Sequence, residues 1–307
     1  MWFKNLQLYR FTSPLELDAE NLEQQLREQA FEPCGKRDPM RYGWVAPMGP
    51  DYDSLVHAAN GYLMICARKE EKVLPSTVIR DKVAEKVKAI EDAEGRKVYR
   101  KEKEAFKEEI IHDCLPRAFT RSTRTHAYIA PAEGWMLVDA SSPKKAEALT
   151  GHLRQTIGSL PIVPPQVKDS PALIMTSWLQ GEGLPGDLEL GDECELREPG
   201  DEGGIVRCKR QDLTSEEITM HLNAGKQSVK LALHWEDNFQ CMLADDLSIK
   251  RLKFCEQLIS ESQDASDGDY AAQFDADFAL MSLTLSRFLP RLLNFFGGPK
   301  SNPTLIP

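Results

Sequence analysis

Basic side chains gather at three places in a chain whose overall charge is acidic. Lysine and arginine side chains, together with serine and threonine hydroxyls, are the groups that contact phosphate oxygens in nucleic-acid complexes. The three groups are Arg96, Lys97, Arg100, Lys101 and Lys103; Arg117, Arg121 and Arg124; and Arg207, Lys209 and Arg210. Groups of cations are often only solvated surface, so the pattern leaves phosphate binding and plain surface both open.

The second basic group has the more suggestive chemistry. Its three arginines alternate with four hydroxyl residues, Thr120, Ser122, Thr123 and Thr125. In an extended strand, alternation would place Arg117, Phe119 and Arg121 on one side. A large aromatic at Phe119, among charged neighbours, predicts either an anchor for an interface or a local staple that folds back onto its own subunit.

The formal net charge of -10 argues against a nucleic-acid partner, because most DNA-binding proteins present a basic surface. The charge is unevenly distributed. Residues 78–125 hold 13 Lys and Arg against 10 Asp and Glu, whereas the rest of the chain holds 25 against 38. One basic segment therefore stands in an acidic background, which keeps an anionic partner in consideration.

A dinucleotide-binding pattern, G-x-G-x-x-G, occurs at residues 181–186. In a real site the last glycine opens a helix whose N-terminus holds the pyrophosphate. Here Pro185 and the acidic run at 187–192 oppose a helix. The pattern therefore predicts an ordinary loop, and no cofactor is expected.

No arrangement of residues indicates a metal site or an enzyme. The six histidines are scattered singly, without a cysteine or histidine partner at ligand spacing. Asp275 and Asp277 could suggest a nuclease metal pair, but positions i and i+2 of a helix point apart. Asp245 and Asp246 are predicted to face solvent in a strand or turn. We therefore expect a protein without catalytic activity.

The elements that must position these groups indicate an α+β fold of several subdomains. Residues 1–75 predict the first part of a central unit, with strands near 2–11, 40–47 and 61–68 and a helix near 18–31. Residues 76–124 predict a projecting hairpin of two charged helices, 76–95 and 98–114, that turns at Gly95 and has only a narrow apolar seam. Residues 125–165 predict the second part of the central unit, with strands near 125–130 and 134–140 and a helix from Pro143 to about Gly158.

Residues 166–307 predict a base domain. Its start is rich in loops, with short strands near 172–179 and 204–209. A capping box at 214–217 predicts a helix that Gly225 ends, and strands follow near 227–235 and 239–254. A C-terminal helix is predicted over about 267–297, and disorder is expected beyond Pro299.

Several features indicate a protein of the cytosol. Seven cysteines without a C-x-x-C pair predict free thiols in a reducing compartment. The N-terminus alternates like a strand and does not resemble a signal peptide. The apolar run at 278–296 carries Arg287, Pro290 and Arg291, so we expect a core helix and no membrane span.

Long runs of this sequence resemble the RdgC family of recombination-associated proteins. These runs are WFKNL at 2–6, FEPCG at 31–35, ICARKEEK at 65–72, LPRAF at 115–119, GSLP at 158–161, QDLTSEEI at 211–218, KRLKFC at 250–255 and FDADF at 274–278. Together they extend over nearly the whole chain, and several are five to eight residues in a fixed order. Such runs are far more specific than any of the short motifs above.

The resemblance implies a horseshoe-like subunit with antiparallel sheets that closes into a ring homodimer around a positively charged hole. Family members bind single- and double-stranded DNA without sequence preference and restrain RecA-driven recombination, acting also in fork repair. The resemblance implies no catalysis and no cofactor. A cytoplasmic, nucleoid-associated location follows from such a role.

Residue by residue, Phe119 matches the family's aromatic at the dimer gate, and Arg96 and Arg117 match basic tip positions. Arg210 and Gln211 match a basic-plus-glutamine pair near the other interface and the hole. Arg121 and Arg124 stand where a relative has a less basic sequence, so their roles rest on their chemistry alone. The full expected DNA-binding set is Arg96, Lys97, Arg100, Lys101, Arg117, Arg121, Arg124, Lys209, Arg210 and Gln211.

Two other functions stay open. The main alternative is a regulatory protein that docks directly on RecA, with the basic groups meeting an acidic protein surface. A nuclease is a more distant one. Salt-dependent binding to naked DNA favours the first hypothesis, RecA binding without DNA favours the second, and cleavage of plasmid with magnesium favours the third.

Overall fold

The computed structural model describes residues 1–15, 17–200, 203–264 and 268–300. It has the α+β composition that the sequence predicts, with a large antiparallel sheet and helices on its faces. The strands are β1 (Leu6–Phe11), β2 (Met40–Val45), β3 (Val56–Ala59), β4 (Tyr62–Lys72), β5 (Thr120–Ala130), β6 (Trp135–Asp139), β7 (Ile162–Val163), β8 (Leu188–Arg197), β9 (Ile205–Lys209), β10 (Gln227–Trp235), β11 (Phe239–Ala244) and β12 (Ile249–Phe254). The helices are α1 (Ala19–Glu28), α2 (Ser76–Glu94), α3 (Arg100–Cys114), α4 (Pro143–Ile157), α5 (Pro171–Leu179), α6 (Glu216–Asn223), α7 (Glu256–Asp264) and α8 (Tyr270–Phe295), and a short 3-10 helix covers Leu115–Arg117.

The described strands form one 12-stranded sheet, where the sequence predicted separate sheets. Its order is β2-β4-β5-β6-β1-β12-β11-β10-β8-β9, with β3 beside β4 and β7 beside β1, and every paired neighbour is antiparallel. The N-terminal strand β1 joins the two halves. It pairs along its length with β6 and meets β12 at Leu6 and Ile249. Just before β1, the Lys4 carbonyl accepts a hydrogen bond from the Leu252 amide at 2.8 Å.

Two hydrophobic cores lie on opposite faces of this sheet. The larger core packs α5, α6 and α8 against the C-terminal half and one face of the N-terminal half. In it, Phe288 of α8 contacts Trp235 and Phe239 with ring centroids 5.0 and 4.9 Å apart. The smaller core packs α1 and α4 on the other face of the N-terminal half through buried residues such as Leu22 and Leu149. The other face of the C-terminal half therefore carries charged side chains.

The two helices α2 and α3 form the predicted hairpin, and their main tertiary contacts are with each other. Few of their residues are buried: Ile79 and Val87 on α2, and Ile110 on α3. Gly95 ends α2 in the left-handed conformation with φ of 64°, which glycine adopts without a steric cost. The narrow apolar seam and the turn at Gly95 are both confirmed.

Three predictions in the C-terminal half were wrong. The run at 172–179 is the helix α5 and not a strand, because a short, wholly apolar run fits either and Pro171 at its first position favours a helix. The acidic segment that was predicted to be a loop contains β8, whose glutamates face the charged side of the sheet. The capping box does not form, since Glu217 accepts a hydrogen bond from Gln211 and Ser215 caps α6 without a side-chain bond.

Other predictions differ in detail. The segment 239–254 is two strands, β11 and β12, with Asp245 and Asp246 exposed in the turn between them, as expected for that pair. The C-terminal helix was predicted from 267 but α8 starts at Tyr270, and residues 265–267 lie outside the described residues. Pro299 pairs with Val167, and residues 301–307, where disorder was expected, are also outside the described part.

The apolar run at 278–296 lies in α8 and is largely buried in the larger core. Arg291 of this helix donates to Asp187 at 2.7 Å. Within the described residues, no helix is both long and apolar enough to cross a membrane. All seven cysteines carry free thiols in the structure.

Candidate nucleic-acid interface

The basic group at the hairpin turn contains one arginine whose charge is already matched. Arg96 donates from Nε to Glu94 at 2.6 Å and from its terminal nitrogens to both oxygens of Glu102 at 3.0 and 2.8 Å. Hydrogen bonds from Arg96 and from the Tyr99 amide lower the pKa of the Glu102 carboxyl. With two carboxylates around one guanidinium, Arg96 orders the turn and offers little net charge to a partner.

The lysines of the same turn are more available. Lys97 and Lys101 are exposed, and neither has an ion pair within the described residues. Arg100 shares its charge with Glu104 at 3.1 Å, one helical turn away. The turn therefore presents two fully available cations out of the four residues expected to bind DNA there.

The second basic group lies at the other end of α3, where the hairpin rejoins the sheet. The 15 residues of α3 separate the two groups by about 22 Å at 1.5 Å per residue. Arg117 ends the short 3-10 helix and is exposed, and Phe119 follows it with 86% of its surface exposed. The carbonyl of Phe119 accepts a hydrogen bond from the Val73 amide at 2.8 Å, so its backbone is held while its ring stays uncovered.

The prediction that Arg117, Phe119 and Arg121 share one side of a strand was wrong, because the strand β5 begins only at Thr120. Within β5, alternation places Arg121 and Arg124 on opposite faces of the sheet. Arg121 lies with Thr123 and Thr125 on the face that α4 covers. Both arginines are exposed and have no ion pair in the described part of the chain.

The neighbouring strand β4 supplies charges that sequence reasoning did not assign. Arg68 of β4 lies opposite Arg124, donates to Ser122 Oγ and Glu70 at 2.9 Å each, and stacks over the Phe31 ring at 4.4 Å. The amide of Cys34, followed by Ser122 and Arg68, lowers the pKa of the Glu70 carboxyl. The Ser122 hydroxyl is therefore engaged within the protein.

The third basic group follows β9. Lys209 and Arg210 are exposed, and Arg210 has a left-handed backbone with φ of 53°. The Gln211 side chain donates to Glu217 at 2.5 Å, which fixes its amide beside α6. Arg210 and Gln211 are the two residues that match the family's basic-plus-glutamine pair. The Arg210 guanidinium is available to a partner molecule, whereas the Gln211 amide already has a hydrogen-bond partner within the protein.

A larger charged surface extends from this group across the C-terminal half of the sheet. Arg207 Nε and Lys230 Nζ lie 2.8 and 3.0 Å from Glu195 Oε2. Arg251 donates to both oxygens of Glu193 at 2.9 and 2.8 Å. Only the strand register brings these residues together, so no single-sequence signal could have found the surface.

The carboxylates considered for a nuclease do not converge. Asp277 accepts hydrogen bonds from the Met1 amino group and from Ser262. Asp275 instead lies 3.1 Å from His57 Nε2, without hydrogen-bond alignment. The expectation that these two carboxylates point apart is confirmed. Among the described residues, no group of three or more His, Cys, Asp or Glu is placed to hold a metal ion.

The glycine pattern at 181–186 lies in the loop between α5 and β8, as predicted. Gly181 and Gly183 both have positive φ, 83° and 69°, and no helix follows Gly186. The tight turn accounts for these two glycines, because other residues adopt that conformation at a cost.

Comparisons with known proteins cover almost the whole chain. A family model described as "Putative exonuclease, RdgC" matches residues 1–299. Proteins named recombination-associated protein RdgC are similar to it: that of Tolumonas auensis is 50% identical over 301 residues, covering 98% of this chain and 100% of the relative. That of Aeromonas hydrophila is 52% identical over 302 residues with the same coverage. That of Pseudomonas aeruginosa PAO1 is 48% identical over 300 residues, covering 97% and 98%.

Proposed function

The chain belongs to the RdgC family, and from that membership we propose that it is a non-enzymatic protein that binds DNA through the phosphate backbone without reading sequence. In this proposal two copies form a ring around single- or double-stranded DNA. The ring restrains RecA-driven recombination and acts at damaged replication forks. The names of the relatives support an association with recombination.

The observation that carries the proposal is a set of exposed cations, at three separate places, that form no ion pair with another of the described residues. They are Lys97 and Lys101 at the hairpin turn, Arg117, Arg121 and Arg124 near the start of β5, and Lys209 and Arg210 after β9. Unpaired cations are free to replace the counterions of phosphates, which is the main source of non-specific affinity for DNA. A partner that spans all three places must be long, as DNA is.

The acidic charge of the whole chain fits a ring better than a flat binding patch. An acidic outer surface repels DNA, whereas a basic lining attracts it and concentrates the field inside a hole. Phe119 supports a contact between two copies, because a nearly uncovered aromatic beside an ordered backbone is typical of an interface anchor. We therefore assign Phe119 to the gate between the two subunits.

Salt dependence of DNA binding tests the proposal directly. If the lining meets roughly 4 to 8 phosphates, log K should fall with log salt at a slope of about -4 to -7. Random-sequence duplexes of equal length should bind alike, because phosphate contacts carry no base information. A flat salt response, or a strong preference for one duplex, contradicts the backbone-binding proposal.

Two further measurements separate the competing functions. RecA pull-down without DNA tests direct docking on RecA, and DNA-independent binding there, with only weak binding to naked DNA, favours that alternative. Incubation of plasmid and of linear DNA with magnesium tests the exonuclease that the family description names. Intact DNA ends after long incubation are the expected result.

A further inference from the structure

A cleft of about 780 Å³ lies between α4 and the ends of β2, β4 and β5, on the sheet face that Arg121 occupies. Its volume is within the range of roughly 300 to 1,000 Å³ that small-molecule sites have. One end of the cleft is cationic and the other is apolar and aromatic. This division suits a ligand with one anionic part and one flat, apolar part.

The cationic end is built around the start of α4. Lys144 and Lys145 lie in the first turn of this helix, which has no acidic residue there, and Ser142 caps it without a side-chain hydrogen bond. Cations are disfavoured at the positive end of a helix dipole, where free N–H groups instead favour an anion. Arg121 and the Thr123 hydroxyl approach the same end from β5.

The charges around the cleft leave a net positive balance. Lys69, which also lines it, is paired with Glu71 of its own strand, and Glu147 is the one carboxylate among the lining residues that are described. Arg121 and Lys144 have no ion pair in the described residues. An anion held between the first turn of α4 and β5 would offset this charge and could accept from the Lys144 N–H, since Pro143 has no N–H and those of Lys145 and Ala146 donate to the Ser142 carbonyl.

The apolar end has room for a ring. Met40 is exposed and lies beside Tyr42 on β2, while the facing side of α4 carries the small residues Ala148 and Gly151. A Cβ added to Gly151 would meet nothing within 4 Å, so the helix surface is open there. Base-stacking platforms combine such aromatic and apolar surfaces with nearby cations.

The rings of Tyr42 and His152 line the floor of the cleft. The His152 ring stacks on Trp44 with centroids 4.9 Å apart and meets the edge of Tyr42 at 4.9 Å. Its Nε2 and the Tyr42 hydroxyl are buried without a hydrogen-bond partner among the described residues. Because both atoms are buried, they lie beneath the cleft surface, and the floor offers a ligand the rings of these two residues.

We propose that this cleft binds one unstacked nucleotide of a single DNA strand. The phosphate lies between Arg121, Lys144 and the first turn of α4, and the base lies against Met40, Tyr42 and the small residues of α4. A base inside a duplex is stacked and paired and cannot enter, so the cleft distinguishes single strands from duplexes. The inference rests on the proposed DNA binding and deepens it by naming a single-strand site.

A variant that fills the cleft without changing charge tests the proposal. Gly151→Leu places a side chain in the open space at the apolar end. Gly186→Leu is the matched control, because that glycine lies in the loop between α5 and β8, has an ordinary φ and also has nothing within 4 Å of an added Cβ. The probes are oligothymidylate of about 10 nucleotides and a duplex of the same length.

The expected result is at least a tenfold loss of oligothymidylate affinity in Gly151→Leu, with duplex affinity within about twofold of the unchanged protein, because the filled cleft excludes only the base. Gly186→Leu should bind both probes normally. Equal losses on both probes, or unchanged oligothymidylate binding in a variant of normal melting temperature, overturn the proposal. If Gly151→Leu does not fold, Ala148→Met fills the same space from the preceding turn and is judged by the same criteria.

A charge variant tests the phosphate end independently. Lys144→Ala should weaken oligothymidylate binding about threefold to tenfold and make its salt slope shallower by about one unit. Lys36→Ala, an exposed lysine outside the cleft and outside the expected DNA-binding set, should leave both unchanged. Equal effects of the two variants overturn the phosphate assignment.

Two outcomes separate this inference from the proposed function. If thymidine monophosphate alone binds as tightly as oligothymidylate, the site takes free nucleotides and the single-strand assignment is wrong. If the unchanged protein fails to bind duplex but binds oligothymidylate in a way that Gly151→Leu abolishes, the ring proposal fails and the cleft stands.

Discussion

At the scale of single residues, the neighbouring carboxylates determine which arginines have a charge available for the proposed DNA binding. Arg210 is exposed without an ion pair in the described residues, whereas Arg96 is held by Glu94 and Glu102. We expect Arg210→Ala to weaken binding to all DNA sequences about threefold to tenfold and to lower the salt slope by about one unit. Arg96→Ala should change affinity by less than about twofold, because its charge is already balanced.

Filter binding or fluorescence anisotropy at several salt concentrations measures both variants. The Arg210 backbone is left-handed, so melting temperatures must be compared first to exclude a folding effect. Unchanged affinity in a folded Arg210→Ala variant removes Arg210 from the site. A larger loss for Arg96→Ala than for Arg210→Ala contradicts the argument from charge balance.

A second prediction at this scale concerns acid stability. Burial lowers the pKa of His126 to about 4, against the opposing effect of its contact with the Pro47 carbonyl, while in the unfolded chain the pKa is about 6.5. Between these values the unfolded chain binds a proton that the folded chain does not. The contribution of His126 to stability is therefore full above about pH 6.5 and is lost as the pH falls toward 4.

We expect the free energy of unfolding to fall by about 2 kcal/mol, because of His126, when the pH is lowered from about 7 to about 5. Urea denaturation of the unchanged protein and of His126→Gln at the two pH values measures it. The fall with pH should be smaller in the variant, since glutamine keeps a donor for Pro47 and does not titrate. An equal fall in both proteins shows that His126 is not the cause.

The sequence shows which residue types form the candidate interface, but it does not show whether their charges are available to a partner. The three basic groups, and the separation of Asp275 from Asp277, could be inferred from composition and spacing. The neutralisation of Arg96 and the engagement of Gln211 by Glu217 depend on side-chain geometry that no spacing rule gives. Glu193 and Glu195 were part of a supposed loop, because their partners Arg251, Arg207 and Lys230 come from other strands.

At the scale of elements, the hairpin of α2 and α3 is the part whose stability depends most on local signals. Its thin apolar seam provides little burial, so its turn must be well formed. Gly95→Ala forces a side chain into a conformation with φ of 64°, although nothing crowds the added atom. We expect a local cost of about 1 kcal/mol, because the left-handed region is unfavourable for L-residues.

Hydrogen exchange followed by mass spectrometry measures this effect. Exchange in peptides from 76–114 should become faster, while the sheet and the melting temperature of the whole protein stay nearly unchanged. Gly186→Ala, a glycine with an ordinary φ and open surroundings, provides the control and should exchange normally. Uniformly faster exchange across the protein indicates instead that the hairpin supports the sheet.

The success and failure of element predictions have a common physical reason. The hairpin has strong periodicity and a glycine stop, both of which are local, so it was predicted to within a few residues. The run at 172–179 is short and apolar on all sides, so periodicity could not distinguish helix from strand, and the Ser170-Pro171 start was the neglected signal. The strand β8 is acidic because it faces charged neighbours, which is information held by the fold and not by the segment.

At the scale of the whole molecule, the continuous sheet fixes the positions of the second and third basic groups relative to each other. The strand β1 hydrogen-bonds to both halves, so the β5 end that carries Arg121 and the β9 end that leads to Arg210 belong to one sheet. In the ring proposal, DNA contacts both groups and a second copy completes the enclosure around it.

Phe119→Ala is the variant that tests the closure. Only a small part of the Phe119 ring is covered by its own subunit, so the structure does not show the local staple that the sequence left open. Truncation should therefore leave the melting temperature unchanged, while loss of an interface anchor commonly costs about 2 kcal/mol or more of binding free energy. The dimer should persist through its second interface, with the gate open more of the time.

An open gate should change how long the protein stays on circular DNA, which a measurement of affinity for short linear DNA does not detect. A closed ring stays on circular DNA when salt is raised but slides off linear DNA, whereas an open ring leaves both. We expect Phe119→Ala to lose retention on circular plasmid at high salt while its low-salt affinity for short linear DNA stays nearly normal, since no phosphate contact is removed. Leu173→Ala, which truncates another exposed apolar side chain, is the control and should retain circles normally. A Phe119→Ala protein that melts several degrees lower yet still holds circular DNA shows that Phe119 stabilises its own subunit and that the gate lies elsewhere.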